Sequence, residues 1–342
     1  MKIGLAFDLK PTVGNDGQSE SDESEEFDPP ETIDALASEI MSQGHQVVYL
    51  GGGREFLENV LRADVDFVFN IAEGRGNYRG REAQTPSVLE MLGVPYSGSD
   101  PLTLSICLDK PSAKLVAMSA GVNTPKFKVI DNSDDLLDFP GAALEFPLVV
   151  KPAFEGSSKG VNRHSRVETV EELHRVVRSV LQTYRQPALL EEFVAGIEVT
   201  AGIVGNAPPQ VVGLMEIVPR RGPDENFMYT LEVKREWREE VRYRCPPELP
   251  SQCVDEIQSA ALRLFKALGC RDAARLDFRV DRNHKVWFIE ANPLPGLSDY
   301  SDLPIMASLC GWTYPNLVNT ILAAGLKRCG LQRGTYANRA TV

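Results

Sequence analysis

Four side chains in the last third of the chain have types and spacing suited to chemistry: Arg275, Asp277, Glu290 and Asn292. They fall on a β-hairpin pattern, with strands over Arg275 to Val280 and Val286 to Ala291 and a turn at Asp281-Arg282-Asn283-His284. Turn-forming residues between two β-rich runs are the usual hairpin signal. Residues two apart in a strand share a face, so Arg275 goes with Asp277, and Glu290 with Asn292. Where those faces coincide, three oxygen ligands meet a guanidinium. Such a set suits Mg²⁺, a hard ion that takes oxygens and shares its shell with phosphates. An ordinary surface hairpin fits the same pattern, so the decision lies with the rest of the chain. One further stretch, Phe154 to Gly160, is rich in small residues that let backbone N–H groups approach phosphate oxygens. It lacks the spacing of a P-loop and reads equally as a flexible hairpin loop.

The elements that must position these groups follow from periodicity. Lys2 to Phe7 predicts a first buried strand, Gln46 to Leu50 a second, Asp66 to Asn70 a third and Val94 to Tyr96 a short fourth. Helices are predicted from Asp28, Phe56 and Glu82 onward, the first capped by Asp28 with Pro29 at its first position and Glu31 in capping-box spacing. Alternating strands and helices imply a parallel sheet with helices on both faces. Gly51-Gly52-Gly53 is not a dinucleotide fingerprint, because the first strand lacks the Gly-x-Gly-x-x-Gly turn. Further on, Ser112 to Ala120, Val170 to Leu181, Glu256 to Leu268, Pro304 to Cys310 and Tyr314 to Ala324 read as helices. Phe146 to Val150, a stretch near Val161, Ala188 to Glu191 and Ile197 to Val204 read as strands. Lys10 to Ser24 and the charge-crowded Arg220 to Arg244 read as loops, the latter placed over the site. The acidic run Glu20 to Asp28 reads either as a solvated loop or as a lid that meets a substrate ammonium.

With 342 residues the chain exceeds one typical core. The expected division is 1–98 for an N-terminal α/β domain, 99–190 and 191–325 for two further units, and 326–342 for a frayed basic tail. A net charge of −12 argues against general binding to nucleic acid or anionic membrane, which require a basic footprint. Six scattered cysteines and four isolated histidines give no zinc or disulfide spacing, in keeping with a reducing cytoplasm. The start of the chain shows no signal-peptide pattern and no apolar run has membrane-spanning length.

Taken in order, several motifs resemble the D-alanine–D-alanine ligase family of the ATP-grasp superfamily. They are Leu108-Asp109-Lys110, Val150-Lys151-Pro152 with Glu155-Gly156-Ser157-Ser158, Leu190-Glu191-Glu192-Phe193 with Glu198, Arg275-Leu276-Asp277, Glu290-Ala291-Asn292, and Pro295-Gly296 with Ser301 and Pro304. The likeness spans nearly the whole chain and is weakest in the first hundred residues. It implies an ATP-grasp architecture, α/β overall and α+β in the ATP-grasp part, behind an N-terminal parallel domain. It also implies a cytoplasmic ligase that uses ATP as substrate, two Mg²⁺ ions (Mn²⁺ as the alternative) and amino-acid substrates. The product would be the dipeptide of peptidoglycan precursors. Family members often form homodimers through the first domain, though no residue here shows it.

The resemblance also assigns residues. Lys110 and Lys151 match phosphate-contacting lysines, and Glu155, Gly156, Ser157 and Ser158 the loop over the phosphates. Glu191, Glu192, Phe193 and Val194 match the adenine slot, and Glu198 the ribose-binding acid. Lys234 matches a lysine that reaches the γ-phosphate, and Asp277, Glu290 and Asn292 the metal ligands. Arg275 matches the guanidinium beside the tetrahedral intermediate and forms the catalytic group with Ser157 and Lys234. Gly296 and Ser301 match groups that hold the acceptor carboxylate. On the donor side the sequence departs from the family. Glu73 stands in place of a histidine, Arg235 in place of a tyrosine, and the early glutamate that reads the donor ammonium has no clear counterpart, Glu26 and Glu31 being the options. The alternatives are therefore a ligase for another amino acid or small carboxylate donor and, in a different class, a non-catalytic nucleotide-binding module.

Overall fold

A computed structural model describes residues 1–11, 22–133, 144–222 and 224–331. Its first sheet contains β1 (Lys2–Ala6), β2 (Gln46–Gly51) and β3 (Phe67–Asn70) in the order β2-β1-β3, all parallel. The helices α1 (Pro30–Ser42), α2 (Gly53–Arg62) and α3 (Gln84–Leu92) join these strands and cover them. Ile33, Leu36, Ala37 and Ile40 form the buried stripe of α1, at the spacing that puts side chains on one helical face. Asp28 does not cap this helix. Pro29 is the N-cap, Pro30 takes the first helical position, and the Asp28 carboxylate accepts from Ser298 Oγ at 3.1 Å. Residues 94–96 form only a bridge, between Tyr96 and Val68, not a strand.

The stretch read as a connection before Lys110 is helical. Asp100 caps α4 (Pro101–Leu108) by accepting from Thr103 N, and Asp109 caps α5 (Lys110–Ser119) by accepting from Ser112 N. A side-chain oxygen at each N-cap satisfies an otherwise orphaned backbone donor. These caps fix Lys110 at the very start of α5. A second sheet, antiparallel, has β4 (Phe127–Ile130), β5 (Leu148–Pro152), β6 (Arg166–Val167) and β7 (Ala188–Glu192) in the order β4-β7-β5-β6. It is backed by α6 (Val170–Tyr184), whose Leu173, Val177 and Val180 are buried. The segment near Val161 is turns rather than strand.

The third sheet carries β8 (Ile197–Val204), β9 (Gln210–Pro219), β10 (Val241–Arg244), β11 (Ala273–Val280) and β12 (Val286–Asn292) in the order β10-β9-β8-β11-β12, antiparallel throughout. β9 was not expected from sequence. The charged stretch 220–244 is not wholly loop, since it includes α7 (Leu231–Arg235), α8 (Trp237–Glu240) and β10. The long helix α9 (Ser251–Leu268) buries Ile257, Ala261, Leu264 and Phe265 in the core of this sheet.

The last helices, α10 (Asp302–Leu309) and α11 (Tyr314–Arg328), return to the first sheet. Leu317, Val318, Ile321 and Leu322 share one buried cluster with Ile3, Leu5, Phe67 and Phe69. The N-terminal unit is thus closed by residues some three hundred positions away. α11 also runs past the expected boundary at 325. Arg328 is anchored by Asp272 Oδ2 at 2.8 Å, so the expected fraying does not begin there; Arg333 and Arg339 lie outside the described residues. All six cysteines are free thiols, and tertiary packing brings the sulfurs of Cys245 and Cys310 within 2.8 Å. Among the described residues no helix is long and apolar enough to cross a membrane.

Candidate active site

In the hairpin of β11 and β12 the two faces left open by the sequence coincide. Asp277 pairs with Glu290 and Arg275 with Asn292, so the oxygen ligands lie side by side on neighbouring strands. Arg275 is less than a tenth exposed. Its Nε and Nη2 donate to the two oxygens of Asp277 at 3.1 and 2.9 Å, and its Nη1 lies 3.1 Å from Asp302, at the start of α10. Thr200 Oγ1 of β8 also donates to Asp277, at 2.6 Å. Burial alone would lower the guanidinium's pKa, but Asp277 and Asp302 hold it firmly charged.

Three lysines meet this acidic wall in a cleft of about 990 Å³ of open space between the second and third sheets. Lys110 Nζ lies 3.5 Å from Glu290 and also donates to the Glu155 carbonyl. Lys151 of β5 is buried and pairs with Glu191 Oε2 at 2.5 Å. Lys234 of α7 lies 5.1 Å from the Tyr229 ring centre and completes the lining. Burial tends to raise the pKa of Glu290, yet Lys110, Lys151, Lys234 and Arg275 together pull it down to about 2. A carboxylate kept ionised this strongly is a ready ligand for a hard cation. Among the described residues no group of three or more His, Cys, Asp or Glu has metal-binding geometry. The protein therefore offers two carboxylates and the amide oxygen of Asn292, an all-oxygen partial shell of the kind Mg²⁺ completes with phosphates and water.

At the other wall Glu191 and Glu198 face the cleft from β7 and β8, with Phe193 and Val194 between them. Glu198 takes Arg279 Nη1 at 2.5 Å and Tyr229 N at 3.2 Å. The Phe193 ring is sandwiched by the guanidiniums of Arg166 and Arg279 at 4.7 and 4.9 Å, a stacking that rigidifies an apolar floor. Glu192 lines the cleft too, but its carboxylate is turned to Lys126 and the Glu145 amide.

A model of the "D-ala D-ala ligase C-terminus" family matches residues 116–323. The chain belongs to the D-alanine–D-alanine ligase family. It is 31% identical over 304 residues to the protein y4sG of Sinorhizobium fredii, covering 86% of this chain and 87% of that protein. Identity to the D-alanine–D-alanine ligase of Bordetella petrii is 31% over 285 residues, covering 83% of each. The ATP-grasp fold is shared with the crystal structure of the D-alanine–D-alanine ligase from Bacillus anthracis complexed with ATP, at a TM-score of 0.69 and 23% identity over 96% of this chain and 97% of that one.

Measured against the expectations for a ligase of this family, twelve of the residues singled out line one cleft: Lys110, Lys151, Glu155, Ser158, Glu191, Glu192, Phe193, Val194, Glu198, Lys234, Asp277 and Glu290. Arg275, Asn292, Gly156, Ser157, Gly296, Ser301 and Glu73 lie outside its lining. Arg275 and Asn292 are joined to it through Asp277 and the hairpin register. Gly296 and Ser301 sit together at the entry to α10, where a side chain on Gly296 would come within 2.8 Å of Ser301 Oγ. Gly156 does not offer its N–H to a phosphate, because that N–H donates to Glu26 Oε1 at 2.7 Å. Ser157 and Ser158 follow with φ of 49° and 58°, a strained pair of left-handed residues of the sort found at ligand-gripping loops.

Sequence reasoning missed several groups that this ligase fold brings to the site. Lys114, one helical turn after Lys110, is fully buried and grips the other oxygen of Glu191. Its i, i+4 spacing from Lys110 was the available signal. Arg81, Lys159, Asp302 and Arg279 gave no local cue. The acidic run is not a solvated loop in its described part: Glu26 is buried among cations, Glu25 takes Arg235 Nη2 at 2.6 Å, and Asp22 takes the Tyr184 hydroxyl at 2.5 Å. Glu20 lies outside the described residues.

Proposed function

We propose that this protein is an ATP- and Mg²⁺-dependent ligase of the cytoplasm that joins the carboxylate of one D-alanine to the amine of another, supplying the dipeptide of peptidoglycan precursors. The observation that carries this reading is the 3.5 Å contact between Lys110 and Glu290, with Glu290 in register with Asp277. One spot thus holds cationic groups for a triphosphate and anionic ligands for its metal.

A carboxylate is a poor acyl donor, because its leaving group would be oxide. Phosphorylation by the γ-phosphate of ATP converts it to an acyl phosphate, whose leaving group is phosphate. Such transfer needs positioning and charge neutralisation rather than covalent help. Lys110, Lys151 and Lys234, with Ser157 and Ser158, hold the phosphates in this reading; Glu191, Glu192, Phe193 and Val194 hold the base and Glu198 the ribose. Asp277, Glu290 and Asn292 would hold Mg²⁺, which would supply positive charge to offset that of the phosphates. Attack of the second amine builds an oxyanion that Arg275 stabilises, while Gly296 and Ser301 retain the acceptor carboxylate. Ser158 Oγ reaches the Tyr229 carbonyl at 3.3 Å, and Arg235 reaches Glu25. Those contacts close the cleft and would keep water from the acyl phosphate. In this reading the chain divides into an N-terminal domain (1–98) and two ATP-grasp units (99–190 and 191–325).

A coupled assay of ADP release with ATP, Mg²⁺ and D-alanine tests the proposal. Turnover that D-alanine does not stimulate overturns that substrate. The second reading keeps the chemistry and changes the donor, and one specific observation favours it: the Glu73 carboxylate, at the place of a family histidine, has no hydrogen-bond or ion-pair partner among the described residues.

A further inference from the structure

Next to Lys110 lies a closed set of four buried charges. Arg81 Nη2 meets Glu26 at 2.7 and 2.9 Å and Glu155 at 3.1 Å, while Lys159 Nζ meets Glu26 at 3.0 Å and Glu155 at 2.5 Å. Two cations and two anions cancel, and Glu26 is further held by the Gly156 N–H. Glu26 therefore has no capacity left for a substrate ammonium.

Among the described residues three other carboxylates in the same region have no ion-pair partner, although Arg81, Lys110 and Lys159 attract Glu82 from farther off. The segment after β3 and the turn before α3 are zipped together: Gln84 exchanges hydrogen bonds with the Arg75 backbone at 3.0 and 2.9 Å, and Gly74, at φ +83°, lies so close to the Arg81 carbonyl that no side chain would fit. Glu73 and Glu82 flank that contact. Ala83, beside Glu82, packs on Leu294, two residues beyond Asn292, which places Glu82 between the N-terminal unit and the end of the ligand-bearing hairpin. Glu82 is only 7% exposed, yet among the described residues nothing donates to its carboxylate or pairs with it. The same holds for Glu73. Asp28 accepts from Ser298 Oγ, itself 2.8 Å from Thr32 Oγ1, and meets no cation within ion-pair distance. The nearby guanidiniums are already committed, Arg75 to Asp8 at 2.9 Å and Arg275 to Asp277 and Asp302. Burial and mutual repulsion with Glu82, Glu26 and Asp28 push the Glu73 carboxyl well up, and burial drives Glu82 to about 7 and Asp28 to about 6.

Buried carboxylates without partners are costly to maintain, and a bound cation relieves that cost. Among the described residues no three acids converge closely enough to share one metal ion. An organic cation that carries two charges can meet two of them. A single α-ammonium would offset one carboxylate and leave two.

We propose that Glu73, Glu82 and Asp28 form a donor subsite that selects an amino acid carrying a second, side-chain cation, a diamino acid, over D-alanine. This rests on the second reading above, the same ligase chemistry with a donor other than D-alanine. The donor's α-ammonium and its side-chain ammonium each meet a carboxylate, and its carboxylate extends toward Lys110 and Arg275.

The test uses the full chain with ATP, Mg²⁺ and D-alanine as acceptor, and compares both enantiomers of 2,3-diaminopropionate, ornithine and lysine with D-alanine as donors. ADP release gives kcat/KM and mass spectrometry identifies the mixed dipeptide. The expected result is a kcat/KM about tenfold or more above D-alanine for at least one diamino acid. Glu73→Gln and Glu82→Gln should reduce that preference by about tenfold, with nucleotide affinity followed separately to confirm a folded cleft. A wild-type enzyme that prefers D-alanine to every diamino acid overturns this subsite and leaves the ligase reading standing. Equal loss for both donor types in the two variants overturns it as well. ATP binding without ADP release in response to any amino acid overturns both.

Discussion

Lys114 and Lys151 take one oxygen each of the buried Glu191 carboxylate, from α5 and β5 respectively. The two cations have different fates available. Lys151 lines the cleft, whereas Lys114 is sealed behind Glu191 beside Thr124 and the Phe127 ring. Burial lowers the Lys114 pKa to about 8 despite the attraction of Glu191. In the proposed ATP-binding role Lys151 would turn to a nucleotide and Lys114 would keep Glu191 neutralised.

Replacing Lys114 by Met should therefore weaken ATP binding by about tenfold and destabilise the fold by roughly 3 kcal/mol, the lower end for breaking a buried pair, since Lys151 remains. Nucleotide titration and urea unfolding of the variant measure both. Unchanged ATP affinity would mean that Lys151 alone suffices to hold Glu191.

Glu290→Ala removes a carboxylate that four cations surround. Turnover should fall by more than the roughly 10–100-fold typical of losing an outer-shell partner of a metal. The circular dichroism spectrum should stay that of the parent. Near-normal turnover in this variant would rule out Glu290 as a metal ligand.

Arg275→Lys keeps the charge but loses the planar fork that spans Asp277 and Asp302. If Arg275 steadies the oxyanion of amide formation, kcat should drop on the order of 10²–10³-fold, as for other lost oxyanion donors. The ATP KM should change much less, and initial-rate kinetics separate the two.

The Arg235–Glu25 contact joins the segment bearing Lys234 to the N-terminal unit at 2.6 Å. Arg235→Ala should loosen closure, so that water competes for the acyl phosphate and more ADP than dipeptide is formed. Measuring both products in one reaction decides it, and a one-to-one ratio would show that closure does not depend on this pair.

Asp28 gives a pH-dependent stability term of definite sign. Burial, helped by Asp8, raises its carboxyl to about 6, above the ordinary 3.8, although the Ser298 hydroxyl works the other way. The folded state then binds the proton more tightly than the unfolded state. The stability this contributes is fully present below about pH 4 and is lost as pH rises through 6. Asp28→Asn, which cannot ionise, should gain on the order of 1–3 kcal/mol over the parent at pH 8 and nothing at pH 4. Denaturant unfolding at the two pH values is the check, and an equal effect at both would refute the buried ionisation.

The sequence by itself determined the hairpin of Asp277 and Glu290, because strand alternation and a turn of Asp, Arg, Asn and His are local signals. It made legible a helix over Ser112 to Ala120, two residues short of its actual start at Lys110, and the order of family motifs named the chemistry. What it did not determine depends on contacts between distant segments. Asp28 looked like a helix cap and is instead drawn to Ser298, 270 positions on. Lys114 was not singled out and is the buried partner of Glu191. The apolar stripe of α11 was legible, but not that it would cover the first sheet. The physical reason is desolvation. Whether a charge stays in water or must find a partner is settled only when the chain closes around it, so Glu26 is neutralised and the Glu73 carboxyl pushed up only in the folded molecule.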